Sequence, residues 1–168
     1  MMNVFYVDSD PCKAAEMLCD KHVVKMILES AQMLSAAHRM LDGDDVADSK
    51  SLYKLVHKNH PSTIWARSSS ENYHWLWDHM SALMSEYNDR YGKVHATERL
   101  EHSLWEFPRN ITHNDFTPPP QCMPDKYKCN PNSASKEDCV SAYRQYYLGE
   151  KMHFAEWKFK EAPSWAIV

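Results

Sequence analysis

The stretch that decides the fold class is KAAEMLCDKHVVKMILESAQMLSAAHRML, residues 13–41. Its apolar residues recur at steps of three and four, which is the spacing of one face of an α-helix. They are Ala14, Met17, Leu18, Val24, Ile27, Leu28, Leu34 and Leu41. The DSDP run at residues 8–11 is typical of a helix start, and Gly43 is typical of a helix end. The sequence therefore predicts one long amphipathic helix.

The composition of the 168-residue chain is that of a folded helical protein. Hydrophobic residues make up 43% of it and aromatic residues 12%, which excludes a disordered chain of low hydrophobicity. It has only three glycines, too few for the tight turns of a protein built from hairpins. We expect a mainly α protein: a single-domain helical bundle over residues 1–168 with one hydrophobic core.

The other segments are assigned from the same kinds of pattern. NVFYV, residues 3–7, predicts a short strand or extended segment, and the acidic residues 42–50 predict a solvent loop. Further helices are predicted at about residues 51–58, 61–92 and 136–160, the last bent or divided at Gly149. Prolines interrupt residues 108–131, which we interpret as a long irregular loop that either carries function or wraps the core.

Charge and cysteine content exclude several classes of protein. The formal net charge is −4, so a general electrostatic grip on nucleic acid is not expected, and any contact must come from local basic residues such as Lys151. The five cysteines are odd in number and lack CxxC spacing, which argues against a disulfide framework or a zinc finger. No leader or membrane-spanning run is evident, so we expect a cytoplasmic protein without a membrane partner. We predict no metal and no cofactor, and the oligomeric state is not predicted.

A polar stripe on the first helix is the candidate catalytic centre. Its members are His22, Lys25, Glu29 and Gln32, which the helical spacing places on one face. Apolar neighbours of this stripe can shift the pKa of a carboxyl or imidazole group towards neutrality, as acid–base catalysis requires. We predict Glu29 and His22 as catalytic residues, with Lys21, Lys25 and Gln32 binding substrate. A solvated helix face carrying an ordinary Lys25–Glu29 pair is the alternative.

A second group of candidates follows Pro61. Aromatic rings next to Arg and Asn can stack on a nucleobase and hydrogen-bond it, as in nucleic-acid binders. We therefore predict four more substrate-binding residues here: His60, Arg67, Asn72 and Tyr73. Lys151, near the end of the chain, is predicted as another. The alternative is that the aromatic residues are core and that the polar ones form surface pairs and caps.

The order Asp20, Lys21, His22, Val23, followed by Glu29, resembles the phage pyrimidine-dimer DNA glycosylase/AP lyase family of the endonuclease V type. The resemblance implies a small helical domain in the cytoplasm of a bacterial or infected host cell. It also implies an N-terminal amine nucleophile, Glu29 as the catalytic carboxylate, and His22 as a substrate or phosphate contact.

The chain departs from the family pattern at two places. Leu28 and Gln32 stand where the family has arginines, and the bulky Met2 stands where the family exposes a small residue. We therefore predict a DNA glycosylase-like enzyme without AP lyase activity, acting on a nucleobase or its N-glycosidic bond in DNA or a nucleotide. Two alternatives stay open: an enzyme acting on a small phosphorylated metabolite or free nucleotide, and a non-catalytic partner-binding module whose aromatic residues anchor the interface.

Overall fold

The computed structural model describes residues 2–167, whose regular structure is all helical, with no strand among them. The α-helices, in chain order, are α1 (Pro11–Met17), α2 (Asp20–Asp42), α3 (Asp44–Ser49), α4 (Pro61–Ser68), α5 (Ser70–Tyr91), α6 (Glu101–Trp105) and α7 (Lys136–Glu150). Short 3-10 helices lie at Ala96–Leu100, Asp125–Tyr127 and Ser164–Ala166. The prediction of a mainly α bundle is confirmed.

The core forms around α2 and α5, which pack against each other. α1 lies against α5, while α3 and α4 lie against α2. The inward side chains of α2 and α5 are fully buried and apolar, for example Ile27 and Leu34 on α2 and Leu76 and Leu83 on α5. Burying a Leu or Ile side chain contributes roughly 1.5–3 kcal/mol, so this pair supplies much of the stability of the fold.

The connections follow the expected local chemistry. The Asp10 carboxylate caps α1, accepting from the backbone N–H groups of Cys12 and Lys13 at 2.8 and 3.1 Å. Gly92 follows α5 in the left-handed conformation, at the predicted end of the 61–92 helix. Residues 108–131 are irregular apart from one 3-10 turn, which confirms the proline-rich loop. Within residues 2–167, no helix is both long and apolar enough to cross a bilayer.

The prediction of one helix over residues 13–41 is wrong at Leu18 and Cys19, where the chain is extended and separates α1 from α2. The break is held by groups from distant parts of the chain. The Arg90 guanidinium donates to the Leu18 carbonyl at 2.7 Å, and the Cys19 N–H donates to the Tyr147 hydroxyl at 3.0 Å. These contacts replace helical hydrogen bonds at the break.

The prediction of a solvent loop at 42–50 and a helix at 51–58 is also wrong, because α3 occupies the first segment and the second is irregular. The reason is Arg39 of α2, whose side chain is buried. Its guanidinium pairs with Asp44 and Asp48 of α3, each at 2.9 Å. It also donates to the carbonyls of Leu52 and Tyr53, at 3.0 and 2.7 Å, which holds that segment in an extended form.

Two other predicted helices are shorter than expected. The predicted helix at 61–92 is divided at Ser69, whose hydroxyl accepts from the Asn72 N–H at 3.1 Å and caps α5. The predicted helix at 136–160 ends at Glu150, next to Gly149. A Cβ atom at Gly149 would meet the Tyr127 ring, so this glycine lets the proline-rich loop approach α7.

Candidate active site

The N-terminal segment, residues 3–7, is a tight turn instead of a strand. The Asn3 side-chain oxygen accepts from the backbone N–H groups of Val4 and Phe5, at 2.7 and 3.0 Å. Phe5 has φ of 53°, a left-handed conformation that is uncommon for an aromatic residue, and its carbonyl accepts from the Val7 N–H at 2.8 Å. Because residues 3–7 are all buried, this turn is fixed by the surrounding structure.

The turn brings the start of the chain to Glu29 on α2. The Asn3 N–H donates to the Glu29 Oε1 atom at 3.2 Å, and Lys25 Nζ lies 3.6 Å from Oε2. Glu29 is 7% exposed, whereas its neighbours Lys25 and Leu28 are exposed, so the carboxylate lies just below the surface. Burial raises the pKa of Glu29, and Lys25 and the Asn3 N–H oppose that rise.

His22 is buried between the N-terminal turn and α7. Its ring stacks on Phe5 with 4.5 Å between centroids, and its Nδ1 atom lies 2.8 Å from the Tyr147 hydroxyl. Burial, with the charges of Lys151, Lys25 and Lys21, lowers the pKa of His22 to about 3. A neutral, packed imidazole of this kind supports the Phe5 turn, and a role of His22 in catalysis or phosphate contact stays a prediction.

Three lysines surround this buried histidine on the protein surface. Lys21 Nζ lies 4.9 Å from the centre of the Phe154 ring, and Lys151 Nζ lies 4.9 Å from the Tyr146 ring and 5.9 Å from the Phe5 ring. We call Lys21, Lys25 and Lys151 the basic face. An aromatic ring beneath an ammonium group stabilises the cation while leaving its N–H donors free for an anion.

A groove of about 790 Å³ runs beside the basic face. Its lining includes three lysines, two phenylalanine rings and two carboxylates: Lys21, Lys25, Lys158, Phe154, Phe159, Asp20 and Glu156. Such a mixture of cations and aromatic rings is typical of surfaces that follow a nucleic-acid backbone. Glu156 pairs with Lys158 at 3.1 Å, so the positive charge at the groove comes from Lys21 and Lys25.

The proline-rich loop contacts the N-terminal turn through Cys122. The Asn3 side-chain N–H donates to the Cys122 carbonyl at 3.2 Å, and the Cys122 N–H donates to the Tyr143 hydroxyl at 3.3 Å. The Cys122 Sγ atom lies 3.4 Å from the Ser62 hydroxyl at the start of α4. The loop thus anchors the N-terminal turn to α4 and α7.

Three of the other predicted substrate-binding residues, His60, Gln32 and Arg67, are only partly buried. His60 caps α4 next to Ser62, and burial lowers its pKa; Gln32 is partly buried one turn beyond Glu29. Arg67 has a buried Nη1 atom that no described residue contacts by a hydrogen bond.

Asn72 and Tyr73 are core residues that hold the fold together. The Asn72 side chain bonds to Trp65 and Thr117, and the Tyr73 hydroxyl donates to the Leu104 carbonyl at 2.6 Å. The structure does not bring either residue to Glu29. Their burial fits the core alternative, and contact with substrate stays a prediction for both residues.

A family model described as pyrimidine dimer DNA glycosylase matches residues 2–99. The chain belongs to this family. The matched part of the pyrimidine dimer DNA glycosylase fold contains the N-terminal turn, α2 with Glu29, and α5. No curated protein and no solved structure gives a significant match. Family membership confirms the resemblance and supports a DNA glycosylase-like function with DNA as its substrate.

Sequence reasoning missed the residues that position Glu29 in this glycosylase fold. Asn3, Phe5 and Tyr147 meet α2 only through the tertiary structure, and the length of the NVFYV run decides nothing about its conformation. One local signal existed, because Asn is favoured where its side chain can bond the backbone two residues on.

The Asn3 turn leads to a direct prediction. Asn3→Ala removes the acceptor for two buried N–H groups and the bond to Cys122, so we expect the free energy of unfolding to fall by about 2 kcal/mol. Chemical denaturation measures this loss. The matched control is Asn132→Ala at an exposed position, which should change stability by less than about 0.5 kcal/mol. Equal stability of Asn3→Ala and the wild type would show that the turn does not depend on this side chain.

Proposed function

We propose that the chain is a DNA N-glycosylase in which Glu29 is the general acid or base at the N-glycosidic bond of a damaged pyrimidine. One observation carries the proposal: a carboxylate just below the surface, held by the Asn3 N–H and beside Lys25, within the part of the chain that matches the family. A carboxyl group with a raised pKa exchanges protons closer to neutral pH than an ordinary one.

The reaction needs such a group. Base release breaks the bond between C1′ of the sugar and the ring nitrogen, water adds a hydroxyl group at C1′, and the departing base receives a proton. Glu29 can take the proton from the attacking water or give one to the base. Asn3 keeps one carboxylate oxygen in place, so little reorganisation is needed during proton transfer.

In this proposal the basic face binds the phosphate backbone of the DNA. The arginines of the family pattern are absent at Leu28 and Gln32, and Lys21 and Lys151 offer positive charge near the same site. Lys151 comes from the chain beyond residue 99, outside the family match. His60, Gln32 and Arg67 are proposed as further contacts with the DNA, and His22 as the support for Phe5.

The test is incubation with duplex DNA that carries a single pyrimidine dimer, an abasic site or a modified base. We expect base release from at least one damaged duplex, without strand cleavage and without an adduct trapped by borohydride. A trapped adduct would show imine chemistry and contradict the absence of AP lyase activity. Failure to bind or process every one of these DNAs would contradict the proposed function.

The basic face predicts a particular salt dependence. The slope of log K against log salt concentration is negative, and Lys21→Gln combined with Lys151→Gln should make it shallower by about 2, because each phosphate contact contributes about 0.9 to its magnitude. Fluorescence anisotropy with labelled duplex measures the slope. Lys93→Gln combined with Lys54→Gln removes the same charge from exposed positions elsewhere and should leave the slope nearly unchanged. Equal slopes for both double variants would place the DNA on another surface.

A further inference from the structure

A second concave site lies at the other end of α2 from the basic face. It is a cavity of about 530 Å³ between α5 and the segment that follows α6, within the size range of small-ligand pockets. The Arg109 N–H at its rim donates to Asp42, the last residue of α2, at 2.7 Å. At 1.5 Å per residue, Asp42 is about 20 Å along the helix from Glu29, so this cavity is separate from the candidate active site.

Aromatic rings form the walls of this cavity. Trp77 and Trp105 meet edge to face with 4.7 Å between centroids, and His74 meets Trp105 and Phe107 in the same way at 5.5 and 6.1 Å. Trp105 is 50% exposed and Phe107 is 38% exposed, although both are large and apolar. The edge-to-face contacts therefore leave broad ring faces uncovered, where a planar ring can stack.

Two of the wall residues, Trp77 and Tyr73, are held in place by hydrogen bonds. The Trp77 indole N–H donates to the Glu101 carbonyl at 2.9 Å, and the Tyr73 hydroxyl beneath the cavity contacts the Leu104 carbonyl and His38. A preformed aromatic wall loses little conformational freedom on binding. The predicted substrate contact Tyr73 thus supports this cavity as a buried wall residue, away from Glu29.

Of the charged groups at the rim, one is in an ion pair and two are not. Glu106 pairs with Lys50 at 3.6 Å. Within residues 2–167, Glu71 and the Arg109 guanidinium form no ion pair, and both residues are exposed. A guanidinium group is suited to a phosphate, and a carboxylate accepts from the exocyclic amino group of a base. One free group of each kind next to stacking surfaces matches the two ends of a nucleotide.

We infer that this cavity binds a nucleotide whose base carries an amino group, with the base on Trp105 and Phe107 and the phosphate towards Arg109. The ligand chemistry is shared by a free nucleoside monophosphate and by an unpaired nucleotide in single-stranded DNA. Binding here does not depend on Glu29 chemistry.

Isothermal titration calorimetry with dAMP tests the inference. Trp105→Ala should weaken dAMP binding about tenfold, as expected for loss of one stacking platform, and Trp105→Phe should restore most of it. Val94→Ala truncates an exposed apolar side chain outside this cavity and outside the groove, and it should have no effect. Arg109→Gln should weaken dAMP but not deoxyadenosine, and dTMP, which lacks the amino group, should bind more weakly than dAMP.

Two further arms separate the possible outcomes. A short single strand that competes with dAMP identifies DNA as a source of the ligand, and absence of competition identifies free nucleotides. Glu29→Gln should leave dAMP affinity unchanged, so failure of the glycosylase proposal does not affect this result. No dAMP binding at millimolar concentration, or equal affinity of the wild type and Trp105→Ala, would overturn the inference.

Discussion

Glu29→Gln should slow the release of a damaged base by at least about 100-fold under single-turnover conditions, the usual range for loss of an acid–base group being 10²–10⁴. Glutamine has the same shape and keeps an oxygen that accepts from the Asn3 N–H, so the N-terminal turn should stay in place. What is lost is the ability to exchange a proton. DNA binding should change little, because the basic face is intact.

The matched control is Glu161→Gln, a change of the same charge at an exposed position. It should leave excision within twofold of the wild type. If Glu29→Gln retains full excision while folding normally, Glu29 is not the acid or base, and the site must be sought elsewhere on the protein.

Arg90→Met should lower the free energy of unfolding by about 3–5 kcal/mol, the usual cost of breaking a buried ion pair. The Arg90 side chain is buried and donates to the carbonyls of Leu18 and Glu16, at 2.7 and 2.8 Å. It also pairs with Asp20 at 3.2 Å and Glu86 at 2.9 Å. Methionine fills a similar volume but satisfies none of these oxygens, and the total stability of a domain is only about 5–15 kcal/mol.

Urea denaturation of both proteins measures this loss, with Arg109→Met at an exposed position as the control. The control should shift stability by less than about 0.5 kcal/mol. Arg90→Lys should recover only part of the loss, because one ammonium group cannot reach two carbonyls and two carboxylates together. A loss below about 1 kcal/mol for Arg90→Met would show that the α1–α2 break does not depend on this clamp.

The helical class could be predicted because the decisive signals are local. The apolar spacing in residues 13–41 and the stop at Gly92 depend on neighbours within a few residues. The break at Leu18 and Cys19 could not be predicted, since its partners Arg90 and Tyr147 are far away in sequence. The same holds for α3, which carries acidic residues typical of a loop but docks on the buried Arg39.

For the candidate site, too, the sequence predicts the local spacing but not the long-range contacts. Helical spacing places Lys25 and Glu29 on one face, and the structure pairs them at 3.6 Å. Spacing alone does not show that His22, on the same stripe, is covered by Phe5 and Tyr147 and held neutral. Nor does it show that Asn3 reaches Glu29, because that contact joins residues 26 positions apart.

The pH dependence of single-turnover base excision tests the role of Glu29 most directly. Burial raises the pKa of Glu29 and Lys25 opposes the rise, so removing Lys25 should raise that pKa further. Glu29 sets the acidic limb of the rate profile if it is the base and the alkaline limb if it is the acid. In Lys25→Gln that limb should therefore move to higher pH, while Lys21→Gln, which removes the same charge without a contact to Glu29, should leave it in place. The limb should be absent in Glu29→Gln. A limb at the same pH in the wild type and Lys25→Gln, or one that persists in Glu29→Gln, would contradict Glu29 as the group that exchanges the proton.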